Sequence, residues 1–284
     1  MRLFRYIIPV VLLTGSMLSS CDKLDPPYAV VKDEFDSVNK PFILLEEYTG
    51  HKCNNCPLAT QKAHKMREFY KTKMILMSIH AGELADPDPK YPQDLRTPVG
   101  TELYSNFTVP YVPQGVMDRT MYTGKYPLSS EQWPGAAEEQ FSKAIVNFIT
   151  VSASINASTK NITVTGNTWF KSVLPSGAKI VYYIVEDSIS GPQLNKDTAA
   201  GPTPVIDPYY FMHTLRASMN GTYGEVLTSS IEIDKSYPFS KTYKVADTTW
   251  NTKQLSLITV ILDPSTTQYG TVVGVNDTKI KVAK

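Results

Sequence analysis

Cys53 and Cys56 are the residues of this chain whose type and spacing could do chemistry on their own. The sequence holds three cysteines, and the third, Cys21, lies far upstream in a different setting. No framework of disulfides is therefore available to hold the fold together. A Cys-x-x-Cys pair also closes too short a loop to add much stability. The sequence thus favours thiol–disulfide chemistry at this pair over a structural cross-link.

The residues around the pair predict how this chemistry would work. The motif lies between an apolar run and an amphipathic helical pattern, which predicts that Cys53 stands at the N-terminus of a helix. Unpaired N–H groups and the positive end of the helix dipole stabilise a thiolate there and lower its pKa. Lys52 and His51 are expected to add positive charge beside it. Cys56, one helical turn later, could resolve a mixed disulfide.

Two other uses of the pair stay open. It could be an inert or vestigial disulfide, or it could belong to a metal site. Zinc takes four ligands, and of the four histidines in the chain only His51 is an obvious neighbour. Attachment of a c-type haem would need a histidine after Cys56, where the sequence has Pro57. We therefore expect neither a metal nor a cofactor at this motif.

The arrangement of a strand, Cys-x-x-Cys and a helix resembles thioredoxins. Glu47 lies six residues before Cys53, where thioredoxins carry a buried acid that relays a proton to the resolving cysteine. Val112-Pro113 stands before a predicted strand. The resemblance implies that Pro113 is a cis-proline that packs against the disulfide and presents backbone to a substrate. It assigns catalytic roles to four residues, namely Cys53, Cys56, Glu47 and Pro113.

The sequence departs from the thioredoxin pattern at three places. Lys52 stands where thioredoxins have a tryptophan, and Asn54-Asn55 replaces their Gly-Pro pair. Gln114 replaces the threonine that follows the cis-proline. These changes are compatible with the fold, whereas the redox potential, the direction of exchange and the partner stay open.

Residues 41–148 alternate short apolar runs with helical patterns, which is typical of an α/β domain. The predicted elements are strands at Phe42–Leu45, Met74–Ile79 and Val116–Asp118 and helices at Pro57–Lys71, Val99–Phe107 and Gly135–Phe148. A continuous apolar run such as Phe42–Leu45 indicates a strand that is buried on both faces. The stretch Glu83–Pro98, with its four prolines, is predicted to be a loop.

Residues 149–284 have a different character, because alternation of apolar and polar residues replaces the helical period. The predicted strands are Val151–Ala157, Asn161–Phe170, Lys179–Asp187, Ser229–Ile233, Leu255–Asp263 and Gly270–Val282. Such strands, separated by turn residues, predict an all-β sandwich. A Pro/Gly-rich excursion, Gly191–Pro208, interrupts them. Loops of this length are usually functional or disordered.

The first forty residues are predicted to be a targeting signal and a tether. Two arginines precede a short apolar core, and Leu18-Ser-Ser-Cys21 has the order of a lipobox. Residues 1–20 are thus predicted to be a lipoprotein signal peptide, and Cys21 to carry the lipid that anchors the protein to a membrane. Residues 21–40 lack periodicity and contain a Pro-Pro pair, which predicts a tether. The expected location is the cell envelope.

A closer resemblance extends over most of the mature sequence. The segments that carry it are Glu47–Pro57, Val112–Val116, Phe211–Arg216 and Gly224-Glu225. Together they resemble the Omp28-related outer-membrane lipoproteins of Bacteroidetes-type bacteria. The resemblance implies a thioredoxin-like domain over residues 41–148 and an immunoglobulin-like β-domain over residues 149–284. It also implies an outer-membrane location, while it leaves the activity open.

Two functions are compatible with the sequence. The first is a membrane-anchored thiol–disulfide oxidoreductase that acts on exported proteins with thiols or disulfides. The second is a non-enzymatic binding or adhesion lipoprotein, in which the thioredoxin-like fold is a scaffold and the β-domain contacts a surface partner. The near-neutral formal charge of +1 argues against a nucleic-acid partner, which would favour a basic face. Whether the protein is an enzyme therefore stays open.

Overall fold

A computed structural model describes residues 39–247 and 249–283 of the chain. The predicted signal peptide (1–20), the lipidation site at Cys21 and nearly all of the predicted tether (21–40) lie outside the described residues. Both predicted domains that follow the tether lie within them, apart from residues 248 and 284.

The first half of the described chain forms three strands and three α-helices. In chain order these are β1 (Ile43–Thr49), α1 (Cys56–Tyr70), β2 (Met74–His80), α2 (Pro98–Asn106), β3 (Gln114–Met117) and α3 (Trp133–Phe141). Strand β1 pairs in parallel with β2 and antiparallel with β3. Every residue of the three strands is buried, as expected for a sheet that is covered on both faces. Each helix has a proline in its first turn, where an N–H group is not needed.

The second half is built from strands. They are β4 (Asn147–Asn156), β5 (Asn161–Phe170), β6 (Ala178–Glu186), β7 (Ile189–Leu194), β8 (Val205–Phe211), β9 (Thr214–Ser218), β10 (Glu225–Thr228), β11 (Ser236–Lys244), β12 (Leu255–Asp263), β13 (Thr271–Lys279) and β14 (Lys281–Ala283). Buried and more exposed residues alternate along much of β5, whereas β12 is buried throughout. Strand β5 therefore has one face toward solvent, and β12 is covered on both faces.

The described strands form sheets of eight, four and two members. The largest has the order β13-β12-β6-β9-β2-β1-β3, with β10 also paired to β6. This sheet crosses the boundary predicted between residues 148 and 149, because β9 lies between β6 and β2. Strand β9 pairs antiparallel with β6 and meets β2 in parallel at Ser78 and Thr214. The two predicted domains thus share one sheet, and the described residues fall in one compact unit.

Apolar side chains cover both faces of the eight-stranded sheet. On one face the core runs continuously from β1 and β2 to β6 and β12, and it includes Leu103 of α2 and both cysteines of the motif. On the opposite face, α1 and α3 cover β1 to β3 with residues such as Trp133. Further along that face, the four-stranded sheet β11-β5-β4-β14 packs on β6 and β12. Apart from β7 and β8, the strands of the second half therefore belong to two sheets that pack face to face.

Three predicted elements differ from the structure: the strand predicted at Gly270–Val282 is two strands, β13 and β14, which pair with β12 and β4 respectively. The helix predicted over Gly135–Phe148 ends at Phe141, because the β-branched and aromatic residues that follow favour a strand and pair with β5. The strand predicted at Ser229–Ile233 is wrong, since these residues form turns and irregular backbone after β10. The Thr228 hydroxyl bonds the main chain of Ser230 there, a local bond that competes with strand pairing.

Candidate functional site

A disulfide joins Cys53, in the loop after β1, to Cys56, the first residue of α1. Hydrogen bonds from Cys53 N to Gly50 O (3.0 Å) and from Cys56 N to Cys53 O (3.3 Å) turn this loop. The first residue of α1 is Cys56 rather than Cys53. The predicted place of Cys53 at the helix N-terminus is therefore corrected by three residues, because the turn occupies Cys53 to Asn55. Helix α1 therefore begins at the second cysteine of the pair, whose N–H already donates to Cys53 O.

The disulfide is almost completely buried. Cys53 is 2% exposed and Cys56 is 1% exposed. Both pack in one core cluster with Val109 and Val112. The Val112–Pro113 peptide bond is cis, which is the isomer that the thioredoxin resemblance implies. The contact of Pro113 with a substrate stays a prediction.

An open groove of about 540 Å³ runs beside Pro113 and the first turns of α1. Two exposed apolar side chains, Tyr111 and Leu58, lie in it. Lys62 and Glu131 add opposite charges to its lining. Exposed aromatic and aliphatic side chains with a polar rim are typical of surfaces that bind polypeptides. The groove thus offers such a surface next to the motif.

Glu47 is buried on β1 and accepts hydrogen bonds from Thr60 Oγ1 (2.6 Å) and Ser78 Oγ (3.4 Å). Burial raises the pKa of this carboxyl from 4.5 to about 7, and the two hydrogen bonds offset a smaller part in the other direction. Thr60, Ser78 and Cys56 line one cavity of about 10 Å³, roughly the least volume that holds a water. Glu47, an acid that is half protonated near pH 7, is therefore connected through Thr60 and Ser78 to the cavity beside Cys56.

His51 and Lys52 differ in the charge that they bring to the motif. His51 is buried, its Nε2 lies 3.0 Å from Asp86 O, and its ring stacks on Tyr91. Burial lowers the pKa of His51, which favours its neutral form over the positive charge predicted there, and its tuning of Cys53 stays a prediction. Lys52 stays partly exposed, with Nζ 3.9 Å from Asp88 Oδ2. Lys52 thus places a positive charge beside the motif, where it forms an ion pair with Asp88.

The hairpin formed by β7 and β8 supplies residues to the site that the sequence did not reveal. Gln193 donates from Nε2 to Cys53 O (2.9 Å). Tyr209 lines the same small cavity as Thr60. Both residues lie in the excursion Gly191–Pro208 or directly after it, and its unusual length was the signal that pointed there.

The described residues contain no group of three or more His, Cys, Asp or Glu side chains placed to hold a metal ion. None of the helices within residues 39–247 and 249–283 has the length and apolar character needed to span a membrane.

A family model described as outer membrane protein Omp28 matches residues 101–284, more than half of the chain. The chain belongs to the Omp28 family. The predicted resemblance to Omp28-related proteins is thereby confirmed at the level of the family, and an outer-membrane or envelope location agrees with it. The Omp28 match includes Pro113 and the β7–β8 hairpin, and it begins after the Cys-x-x-Cys motif.

Two solved structures resemble this Omp28-family chain over most of its length. HBP35 of Porphyromonas gingivalis has a TM-score of 0.62 and 15% sequence identity, with 85% of this chain and 76% of that chain covered. Protein AGR_C_4864 from Agrobacterium tumefaciens has a TM-score of 0.50 and 13% identity, with 84% and 95% covered. At these identities the similarity concerns the fold alone. No curated protein matches the sequence.

Proposed function

We propose that this Omp28-family protein is an envelope thiol–disulfide oxidoreductase that acts on exported proteins and is anchored to the outer membrane through a lipid on Cys21. The observation that carries the proposal is the setting of Glu47. Its carboxyl has a pKa of about 7, and its partner Thr60 lines one cavity with Cys56. The proposal includes a thioredoxin-like domain over residues 41–148 and an immunoglobulin-like β-domain over residues 149–284.

The proposed reaction balances within the site. A substrate thiolate attacks Sγ of Cys53, the bond to Cys56 breaks, and a mixed disulfide forms. Cys56 leaves as a thiolate and takes a proton from the carboxyl of Glu47. A second thiolate of the substrate attacks the mixed disulfide, so that the substrate leaves as a disulfide and Cys53 as a thiolate. Two electrons pass from the substrate to the cysteine pair, and the reverse sequence reduces a substrate disulfide.

The open groove supports a polypeptide as the substrate. It extends from Asn55, inside the motif, past the cis-proline Pro113. Tyr111 is 61% exposed in it and offers a large apolar ring at little cost in conformational entropy. In the proposal, Pro113 positions an extended substrate segment along this groove.

The Cys53→Ser variant tests the proposal. We expect the full-length protein in detergent to accelerate reduction of a protein disulfide by dithiothreitol, and Cys53→Ser to fall to the uncatalysed rate. The matched control is Cys21→Ser, the same substitution at the third cysteine, which should keep the wild-type rate. Equal rates for wild type and Cys53→Ser would contradict the proposal.

A second candidate is the non-enzymatic binding or adhesion lipoprotein, with the β-domain in contact with a surface partner. The burial of Cys53 and Cys56 favours it, because a polypeptide sulfur does not reach the disulfide in this conformation. Retention of function in cells by the Cys53→Ser variant would support this second candidate.

A further inference from the structure

The β7–β8 hairpin is separate from the two larger sheets. Its strands pair with each other along their length and form a two-stranded sheet of their own. The residues that flank it, Ser188 and His213, both have left-handed backbone, with φ of 61° and 52°. Glycine, which lacks a Cβ, is favoured in this conformation. A non-glycine residue at each end of the hairpin therefore marks a defined turn. The hairpin is thus a flap with a turn at each end of its base.

The base of the hairpin is fastened to the rest of the molecule. The carboxylate of Asp187 accepts a bond from His213 N (2.8 Å) and lies 3.0 Å from its Nδ1. Arg67 of α1 donates to His213 Nε2. These contacts fix where the hairpin leaves the sheet. Any movement of the hairpin would therefore take place beyond this base, toward its tip.

Beyond the base, the hairpin contacts the Cys53–Cys56 loop through the main chain. Leu194 N donates to His51 O (2.8 Å), and Lys196 N donates to Asn54 O (3.1 Å). The two acceptors lie in turns on either side of Cys53. A contact held by two main-chain hydrogen bonds opens locally at lower free energy than the core of a protein does.

One side chain connects the hairpin directly to the cysteine motif. Gln193 is buried, and its Nε2 donates to Cys53 O (2.9 Å), Gly50 O (3.4 Å) and Leu194 O (2.9 Å). The amide has two N–H donors, so these three carbonyls share them. Loss of the amide would leave buried carbonyls of the motif without this donor. Gln193 therefore holds the closed position.

We propose that the hairpin Ile189–Phe211 is a lid over the Cys53–Cys56 disulfide, with Gln193 as its latch. Closed, the lid leaves the disulfide buried. Open, it admits a polypeptide thiol or disulfide to Cys53. The lid rests on the proposed exchange function, for which it decides which partners reach the sulfurs: those that can displace the hairpin are admitted, and those that cannot are excluded.

The Gln193→Ala variant of the oxidised full-length protein tests the lid. The rates of reduction of Cys53–Cys56 by dithiothreitol and by a protein-sized dithiol, reduced thioredoxin, are compared. We expect Gln193→Ala to raise the rate with thioredoxin by about tenfold, a change equal to the loss of one or two hydrogen bonds, and the rate with dithiothreitol by less. The matched control is Tyr210→Ala, because Tyr210 is exposed on the same hairpin and should leave both rates within about twofold of wild type. An unchanged rate with thioredoxin would overturn the lid.

A measurement on the wild type keeps the test independent of how the variant folds. Hydrogen exchange should show the amides of Leu194 and Lys196 opening before those of β5 and β12 in the oxidised protein. If these two amides exchange only with global unfolding, the hairpin is not a lid.

The lid and the exchange function can fail separately. If thioredoxin reduces Gln193→Ala faster but neither protein exchanges disulfides with a substrate, the lid stands and the exchange function fails. If wild type and Gln193→Ala exchange with a substrate protein at equal rates, the function stands and the lid fails.

Discussion

Two neighbouring glutamates on β1 are both buried, and they lie on opposite faces of the same sheet. Glu46 points to the face of Tyr183 and is held by Arg119, whose Nη2 donates to Oε1 at 2.6 Å and whose Nε lies 3.1 and 3.2 Å from the two carboxylate oxygens. Arg119 also donates to Tyr183 Oη (2.8 Å). Glu47 points to α1 and is bonded by the two neutral hydroxyls of Thr60 and Ser78.

The difference between the two carboxyls lies in the charge of their partners. The guanidinium beside Glu46 is a permanent cation, and its hydrogen bonds fix that carboxylate in one geometry. Within the part of the chain that the structure describes, the hydrogen-bond partners of Glu47 are two neutral hydroxyls, and burial raises its pKa to about 7. A carboxylate with a buried cation is suited to hold a structure together, whereas a carboxyl with neutral partners can take up and release a proton.

Arg119→Met removes the cation that pairs with Glu46 and should have the largest effect on stability. It leaves the buried carboxylate of Glu46 without its cation, and removing one partner of a buried pair typically destabilises a protein by about 3–5 kcal/mol. Denaturant unfolding followed by circular dichroism measures the loss. The double variant Glu46→Gln, Arg119→Met should recover part of it, because no charge is then left unpaired. If Arg119→Met lowers the free energy of unfolding by less than about 1 kcal/mol, this pair contributes no more to stability than an exposed ion pair does.

Glu47→Gln should, in contrast, increase the free energy of unfolding above neutral pH. The pKa of Glu47 is about 7 in the folded protein and 4.5 in the reference state, so the folded state binds more protons between these values and its stability falls as pH rises through them. The amide cannot ionise, and it still accepts bonds from Thr60 and Ser78. We therefore expect Glu47→Gln to be up to about 3 kcal/mol more stable than wild type at pH 8 and equal to it near pH 4.

Unfolding at several pH values measures this change, with Glu68→Gln as the control because Glu68 is an exposed carboxyl of α1. Burial raises the pKa of Asp118 to about 8, so Asp118 contributes a decrease of stability with rising pH in both variants.

Glu47→Gln should also slow disulfide exchange at pH 7 by about 100-fold, the usual lower range for loss of an acid–base group. A Glu47→Gln variant that loses stability at pH 8, or keeps the full exchange rate, would contradict the assigned role.

The sequence predicted one member of this comparison and missed the other. Glu47 stood out because of its spacing from Cys53. Glu46 gave no local signal, since its partner Arg119 lies 73 residues away and becomes a neighbour only when β1 and β3 pair. Ion pairs that depend on sheet pairing are not visible in local spacing or periodicity.

The same contrast holds for the elements around the site. The bounds of β5 and β12 agree with the sequence-based prediction, because clear alternation in β5 and a continuous apolar run in β12 depend on local residues alone. The β7–β8 hairpin is rich in proline and glycine, and its contact from Gln193 to Cys53 spans 140 residues. Its position on the motif follows from the turn into β9, which only the complete sheet defines.

Lys52→Gln removes a partly exposed cation beside the motif and should have the smallest effect on stability. Lys52 Nζ lies 3.9 Å from Asp88 Oδ2, and both side chains are partly exposed. Water and salt screen such a pair, so the free energy of unfolding should change by about 0.5 kcal/mol or less. In the reduced protein, loss of this screened cation should slow alkylation of the Cys53 thiol at pH 7 by about threefold or less at physiological salt. A loss of about a hundredfold or more would mean that Lys52, rather than the burial that the hairpin imposes, dominates the reactivity of Cys53.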